Sequence, residues 1–450
     1  MDTQPADPAL STDPRSRPHV LYAAWGFPPH RGPGTYRALA TANLLAGLGC
    51  RVTVLTADMA TFDLVIGGDR SLLTAVDPRI RMLRVPFPPG RRDPVVNRWP
   101  LERVAEPTAW LERTVAAEER VFPESLYGPW RPRIEAAAQR LHRVDPVQLV
   151  VATGNPYVDF AVPQRLNVDH GVPFVLDDRD SWVVDVYTGE PYAGSERTQQ
   201  WLGWMLGRCE QAWFVNPPIA QWHRQRYPAH ADRIRVVENG WDRHFLDPAS
   251  VRRTAGQRLI VGYVGTILER FPLQLIIDAW RLARSRSPLL ADAELRFFGH
   301  LGAGGAGLAG QQARLTEAAD DGVVHMGRWP KTRIGEAYSD IDVLLFAKEG
   351  SRMVTSGNVY EYVATGLPIA SVLEPEHDAQ RVLGGYPRWY PAVQQGPQAL
   401  ADALVTAAQD SAAHSEDLVA SAVAYGERFR RDRILQPVLA DLVEQLVVTA

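Results

Sequence analysis

Apolar runs of strand length alternate with helix-forming stretches along most of this chain, and the alternation occurs in two separate blocks. In the first block HVLYAAW (19–25) precedes the loop GFPPHRGPG. TYRALATANLLAGLG (35–49) follows, with Leu and Ala on one face, and then RVTVLTA (51–57). Gly49 is placed to end the helix. Strand, helix and strand in this order form a βαβ unit, whose crossover makes the two strands parallel. VQLVVAT (147–153), VPFVLDD (172–178), QAWFVN (211–216) and IRVVENG (234–240) continue the pattern. It lapses over 242–258 and resumes with RLIVGYVG (258–265), a helix over 273–286, ELRFFGH (294–300), GVVHMG (322–327), IDVLLFA (341–347), a helix over 356–366 and LPIASV (367–372).

These blocks predict an α/β chain of two Rossmann-like domains facing each other across a cleft. Residues 1–17 read as a disordered tail. The first domain covers 18–241, with a largely helical, Trp-bearing insertion near 91–135. A linker (242–258), a second domain (259–425) and a C-terminal helix (426–450) packing back on the first domain complete the expectation. In open α/β sheets ligands bind beyond the carboxyl ends of the strands, so the cleft is the expected site.

Charge and cysteine content narrow the partners. With 48 basic and 52 acidic residues the net charge is −4, which gives no electrostatic reason to expect nucleic acid. Cys50 and Cys209 follow no ligand spacing, so neither a zinc site nor a disulfide framework is expected, and a cytoplasmic location fits. The polar N-terminus lacks the apolar core of a signal peptide. No uninterrupted apolar run reaches the ~18 residues of a membrane-spanning helix. Peripheral membrane contact stays open.

Four segments, in order, carry a family resemblance. FPPHRGPGTYRALATANLLAGLGCRVTVLTA resembles the opening of the retaining glycosyltransferases of family 4, which have the GT-B fold. VVENGWD (236–242) resembles the Asn-Gly-x-Asp element ending their first domain. IVGYVGTI (260–267) resembles the first strand and turn of the second, and VYEYVATGLPIASV (359–372) their donor-binding helix and next strand. The resemblance implies sugar transfer from a nucleoside-diphosphate sugar to an acceptor hydroxyl, with retention, without a metal and with no cofactor beyond that donor. The acceptor is not identified by these motifs.

The donor motif is EGSRMVTSGNVYEYVATG (349–366). Thr355, Ser356, Gly357 and Asn358 stand where a helix begins, and free N–H groups there suit phosphate oxygens. Ser356 suits an N-cap. Glu361, one turn further, fits a carboxylate accepting ribose hydroxyls, the role a matching Glu has in the family. The family pattern places another Glu eight residues earlier, where this chain has Met353. Glu349, twelve before, is the nearest candidate for the donor sugar.

Other candidates lie after strand ends. Gly265 and Thr266 are expected to bring N–H groups to the diphosphate, and Arg270 to stabilise the charge that develops as it leaves. Lys348 and Arg352 are alternatives for that cation. The resemblance places the loop after HMG (325–327) beside the nucleobase, with Gly327 and Arg328 in contact through backbone groups. In the first domain Gly32 and Gly34 are expected near the ligand, while Arg37 points inward or is solvated. DDRDSW (177–182) resembles the family's Asp-x-Arg-Asp-x-Trp element and makes Asp180 a candidate for orienting the acceptor hydroxyl or donor sugar. Its Asp178-x-Asp180 triplet, like Asp340-x-Asp342, is too short to specify a metal–diphosphate site. Two readings compete with transfer: a sugar-nucleotide epimerase on the same architecture and a non-catalytic sugar-nucleotide binder.

Overall fold

A computed structural model describes residues 17–251, 258–302, 306–348 and 353–449. The chain divides into two compact units. One holds the chain up to Asp185, Glu190–Val237 and the residues from Leu435 onward. The other holds Val186–Gly189 and Glu238–Ile434.

The first unit is built on a parallel sheet of β1 (His19–Ala23), β2 (Arg51–Ala57), β3 (Arg81–Val85), β4 (Leu149–Gly154), β5 (Phe174–Asp178), β6 (Gln211–Phe214) and β7 (Ile234–Val236). Their order is β3-β2-β1-β4-β5-β6-β7. Every residue of β1, β4 and β5 is buried. Central strands of a parallel sheet are covered on both faces, which is why they read as unbroken apolar runs. β3, at the edge, has Arg81 and Met82 exposed. Its RMLRV sequence carries no such run, so apolar patterning does not mark it as a strand.

Between β3 and β4 the helices Leu101–Ala105 and Pro107–Val121 make up much of the insertion, and Arg131–Val144 leads into β4. The C-terminal stretch forms Glu416–Gly426 and Arg431–Thr449, the latter with Pro437 inside it. No helix among the described residues is long and apolar enough to cross a membrane.

The second unit repeats the architecture with β8 (Ile260–Val264), β9 (Glu294–Phe298), β10 (Val323–Gly327), β11 (Val343–Lys348), β12 (Ile369–Leu373) and β13 (Trp389–Pro391), in the order β10-β9-β8-β11-β12-β13. The helix Leu273–Arg286 presents Leu273, Ile276, Ile277 and Trp280 to the core, the one-sided spacing of an amphipathic helix. Leu400, Leu404, Ala407 and Ala408 of Pro397–Ala413 pack into the same core. The three-residue β13, like β3, lies at a sheet edge, and so short a strand leaves no period in the sequence.

Both sheets have a doubly wound order. The chain turns one way from β1 and the other way from β4, and likewise from β8 and β11. The carboxyl ends of those strand pairs are where such sheets hold ligands.

Candidate functional site

In the second unit the helix Gly357–Thr365 starts beyond the end of β11 and is fastened to the end of β8. The Asn358 side-chain amide donates to the Val264 carbonyl at 2.7 Å, and the Val264 N–H donates to the Tyr362 hydroxyl at 2.7 Å. Gly366, in left-handed backbone at φ 77°, ends the helix. Ser356 occupies the N-cap with extended backbone, but its side chain makes no capping bond. The Thr355 hydroxyl donates to the Asp378 carboxylate. Arg381 then links Asp378, at 3.2 Å, to Glu238, at 2.5 Å. The side chains of Thr355 and Asn358 therefore brace the turn, leaving its backbone as the part that can meet a ligand. Beyond its chain neighbours and its own helix backbone, no atom of the described residues lies within 4 Å of a Cβ built on Gly357, so none of them crowds the first turn.

Glu361 points to a polar pair from another element. Its Oε2 accepts from the Tyr338 hydroxyl at 2.9 Å and its Oε1 from the Lys331 ammonium. Its side chain is only 15% exposed. Burial, with the Glu361 charge next, raises the Tyr338 hydroxyl well above the usual tyrosine range, so it remains a donor. A carboxylate has about four acceptor sites, so these two bonds do not exhaust it.

Beyond β9 and β10 a cavity of about 560 Å3 is lined by His300, Leu301, Gln312, His325, Gly327 and Arg328, among others. The His325 ring is held by the Gly299 carbonyl, at 2.9 Å from Nε2. Arg328 is exposed at this cavity.

The turn after β8 departs from expectation at Gly265. Its N–H donates to the Phe298 carbonyl at 2.8 Å, so it is spent on the fold rather than offered to a diphosphate. Gly265 is small for an internal reason: a Cβ there would lie 2.3 Å from the Asn358 amide nitrogen. The Thr266 carbonyl accepts from the Tyr263 hydroxyl at 3.1 Å. Arg270 is exposed, with its guanidinium 5.0 Å from the centre of the Tyr187 ring. Lys348 closes β11, and burial holds its ammonium below the usual lysine range. Glu349 and Arg352 lie outside the described residues. Met353 is buried.

In the first unit Gly32 and Gly34 are packed against side chains of the same unit. The space a Cβ would need at Gly34 is filled by the Arg179 guanidinium, and at Gly32 by the His30 ring. Internal packing thus accounts for the lack of a side chain at both. Arg179 is held by Thr153 Oγ1 at 3.1 Å and the Asn155 carbonyl at 2.6 Å. Burial, then the charges of Arg179 and Arg31, push the His30 imidazole down to about 4, so it is neutral at physiological pH.

Arg37 points inward. Its Nε sits 2.9 and 3.0 Å from the two oxygens of Asp177, a pair 1% and 0% exposed. Neighbouring Asp178 is also buried. Neither of its oxygens has a hydrogen-bond partner of normal geometry, and burial, then the Asp180 charge, push its carboxyl up to about 7. Asp180 is exposed and accepts from the Asn155 amide at 3.4 Å. Of the other acidic triplet, Asp342 is buried and accepts from the Ile260 N–H at 2.8 Å, a structural role.

Lys331, Tyr338, Asp378 and Arg381 carry no motif of their own; they lie outside the helix Gly357–Thr365 and meet it only in the fold. The Tyr after GEA in 335–338 carries no pattern that ties it to Glu361.

No protein-family model matches the chain, and no curated protein matches it in sequence. Solved structures do share its fold over nearly the full length. A sucrose-phosphate synthase from Thermosynechococcus elongatus is 16% identical, with 96% of this chain and 100% of that one covered and a TM-score of 0.62. The Anabaena protein HepE, solved with UDP and glucose, is 13% identical over 94% and 99%, with a TM-score of 0.59. A Listeria monocytogenes protein described as a UDP-N-acetylglucosamine 2-epimerase is 10% identical over 95% and 96%, with a TM-score of 0.54. The two Rossmann-like domains are therefore those of the GT-B architecture. At these identities the likeness defines the fold, which transferases and an epimerase share.

Proposed function

We propose that the chain is a glycosyltransferase that moves a sugar from a nucleoside-diphosphate sugar to an acceptor hydroxyl, with retention and without a required metal. The observation that carries this reading is the open first turn at Gly357 with Glu361 anchored one turn deeper. The diphosphate lies against the turn's backbone N–H groups. The helix dipole adds only ~0.3–1 kcal/mol, up to ~2 when partly buried, so direct hydrogen bonds supply the rest. Glu361 accepts the ribose hydroxyls, at about 1.5–3 kcal/mol per charged hydrogen bond. Tyr338 and Lys331 hold the carboxylate in place for that purpose. The nucleobase occupies the cavity at His300, His325, Gly327 and Arg328.

In this reading Arg270 and the Thr266 N–H meet the diphosphate as its negative charge develops, and Glu349 contacts the donor sugar. Asp180 orients the acceptor hydroxyl. The departing diphosphate takes the acceptor's proton as the new glycosidic bond forms. The HepE structure, with UDP and glucose, supports a nucleotide-sugar donor. Two buried free thiols, Cys50 and Cys209, are consistent with a reducing, cytoplasmic setting.

Calorimetry with a panel of nucleoside diphosphates and their sugars tests the reading. One base is expected to bind, and its sugar conjugate to be consumed when acceptors are added. No binding by any member would refute it. Donor converted to a new sugar isomer without an acceptor selects the epimerase reading, which the Listeria fold favours. Tight binding without turnover across a broad acceptor panel selects a non-catalytic binder, which Met353 at the family's Glu position favours.

A further inference from the structure

The insertion of the first unit carries a second cavity, of about 490 Å3, which falls within the size range of small-molecule sites. Its cations are Arg91, Arg92 and Arg103, and its wall includes Trp99, Trp110, Leu111 and Leu126, with no carboxylate among the lining residues. Arg103 is built into place. Its guanidinium carbon lies 3.6 Å from the centre of the Trp99 ring and 4.9 Å from that of Trp110. One N–H donates to the Arg91 carbonyl at 2.9 Å. The guanidinium carbon thus lies over two indole rings, and the planar fork of N–H donors around it matches a carboxylate or phosphate.

Charge in the cavity is unbalanced. Arg91 lies 3.5 Å from Glu118. Neither Arg92 nor Arg103 has a carboxylate partner among the described residues; Arg92 rests near the Tyr127 ring, at 5.9 Å. Arg92 is exposed and Arg103 half-buried, so two guanidinium groups without a carboxylate stand beside an apolar wall.

The cavity belongs to a segment seated at the sheet's ligand-binding edge. Tyr127 packs edge-on against Trp25, just past β1, at 5.1 Å. Glu124 accepts from the Val158 N–H, just past β4, at 2.7 Å. Those are the adjacent strands from which the chain order diverges.

We propose that this cavity binds an anionic ligand with an apolar, ring-sized body. On the glycosyl-transfer reading, on which this assignment of role rests, that ligand is the acceptor. Its carboxylate or phosphate accepts from Arg103 and Arg92, and its body lies on Trp110, Leu111 and Leu126.

The test is titration of the full chain with 2-naphthoate, 2-naphthyl phosphate and the neutral 2-naphthamide, read by calorimetry and tryptophan fluorescence. At least one anion is expected to bind about tenfold or more tightly than the amide, and Arg103→Gln to remove that advantage. Arg113→Gln, whose parent pairs with Glu102 on the surface, serves as the control and is expected to bind as the wild type does. Melting curves of Arg103→Gln and Arg92→Gln separate lost binding from lost folding. Equal binding of anion and amide, or binding indifferent to both variants, overturns the proposal. So does binding confined to vesicles of anionic lipid, an outcome that the exposed Leu101 and Val104 nearby make worth measuring. Nucleoside-diphosphate binding is measured in the same samples and is expected to ignore Arg103→Gln. Naphthoate binding that responds to Arg103→Gln in a chain that binds no nucleoside diphosphate keeps the anion site and refutes the transfer reading alone.

Discussion

The Tyr338 hydroxyl donates a 2.9 Å hydrogen bond to Oε2 of Glu361, while Lys331 holds the other oxygen. A carboxylate so placed is oriented before any ligand arrives, which lowers the cost of ordering it on binding. Glu361→Gln keeps the shape and removes the charge. The expected result is a Kd for the cognate nucleoside diphosphate raised about tenfold or more. A 2′,3′-dideoxy analogue, lacking the ribose hydroxyls, is expected to bind variant and wild type alike. If the variant loses affinity for both analogues equally, the ribose role is wrong.

Among the described residues, none outside its own helix and chain neighbours would touch a methyl group added at Gly357. Alanine is also the better helix former, by about 1 kcal/mol in a helix interior. Gly357→Ala is therefore expected to melt at or slightly above the wild-type temperature. Yet the methyl group stands where the diphosphate approaches the backbone, and affinity is expected to drop about tenfold or more. Retained affinity in a stable variant would place the phosphates elsewhere.

The Arg37–Asp177 pair is an internal brace. Asp177→Ala strands a buried guanidinium and is expected to cost about 3–5 kcal/mol, read as a lower urea midpoint. Replacing both members with apolar residues of similar size, Arg37→Met with Asp177→Leu, is expected to recover most of that loss. A double variant no better than the single one would assign the pair a role beyond stability.

Asp178 makes stability depend on pH in a definite direction. Its carboxyl is pushed up to about 7 in the folded chain, from an ordinary value near ~4. Between those values the folded protein holds a proton that the unfolded chain has released. The contribution is therefore full below about pH 4 and is lost as pH rises through 7, by up to about 1.4 kcal/mol per pH unit. Asp178→Asn removes the dependence. Relative to wild type, the variant is expected to gain stability from about pH 4 to about pH 7 and to level off above, as followed by urea midpoints. A constant difference across that range would contradict the buried, proton-holding state.

The strands legible in the sequence are the ones buried on both faces. HVLYAAW, VQLVVAT and IDVLLFA announce β1, β4 and β11 because covering helices demand apolar residues at every position. RMLRV at β3 and WYP at β13 stayed silent because an edge strand half in solvent is under no such demand. The donor-type helix was legible for a different reason: its residues are contiguous, so Ser356, Gly357, Asn358 and Glu361 already stood in the right order.

Sequence alone thus determined two parallel α/β sheets and the helix start on which the proposed chemistry rests, because both depend on neighbours within a few turns. Tertiary structure decided which polar groups are spoken for. Only the fold reveals that the Gly265 N–H belongs to Phe298, that Arg179 fills the space beside Gly34, and that Arg37 is committed to Asp177. It also supplied Tyr338 and Lys331 to Glu361 from outside its own helix. Hydrogen bonds and close contacts between distant segments depend on where the folded chain brings them, and no local pattern of residues encodes that.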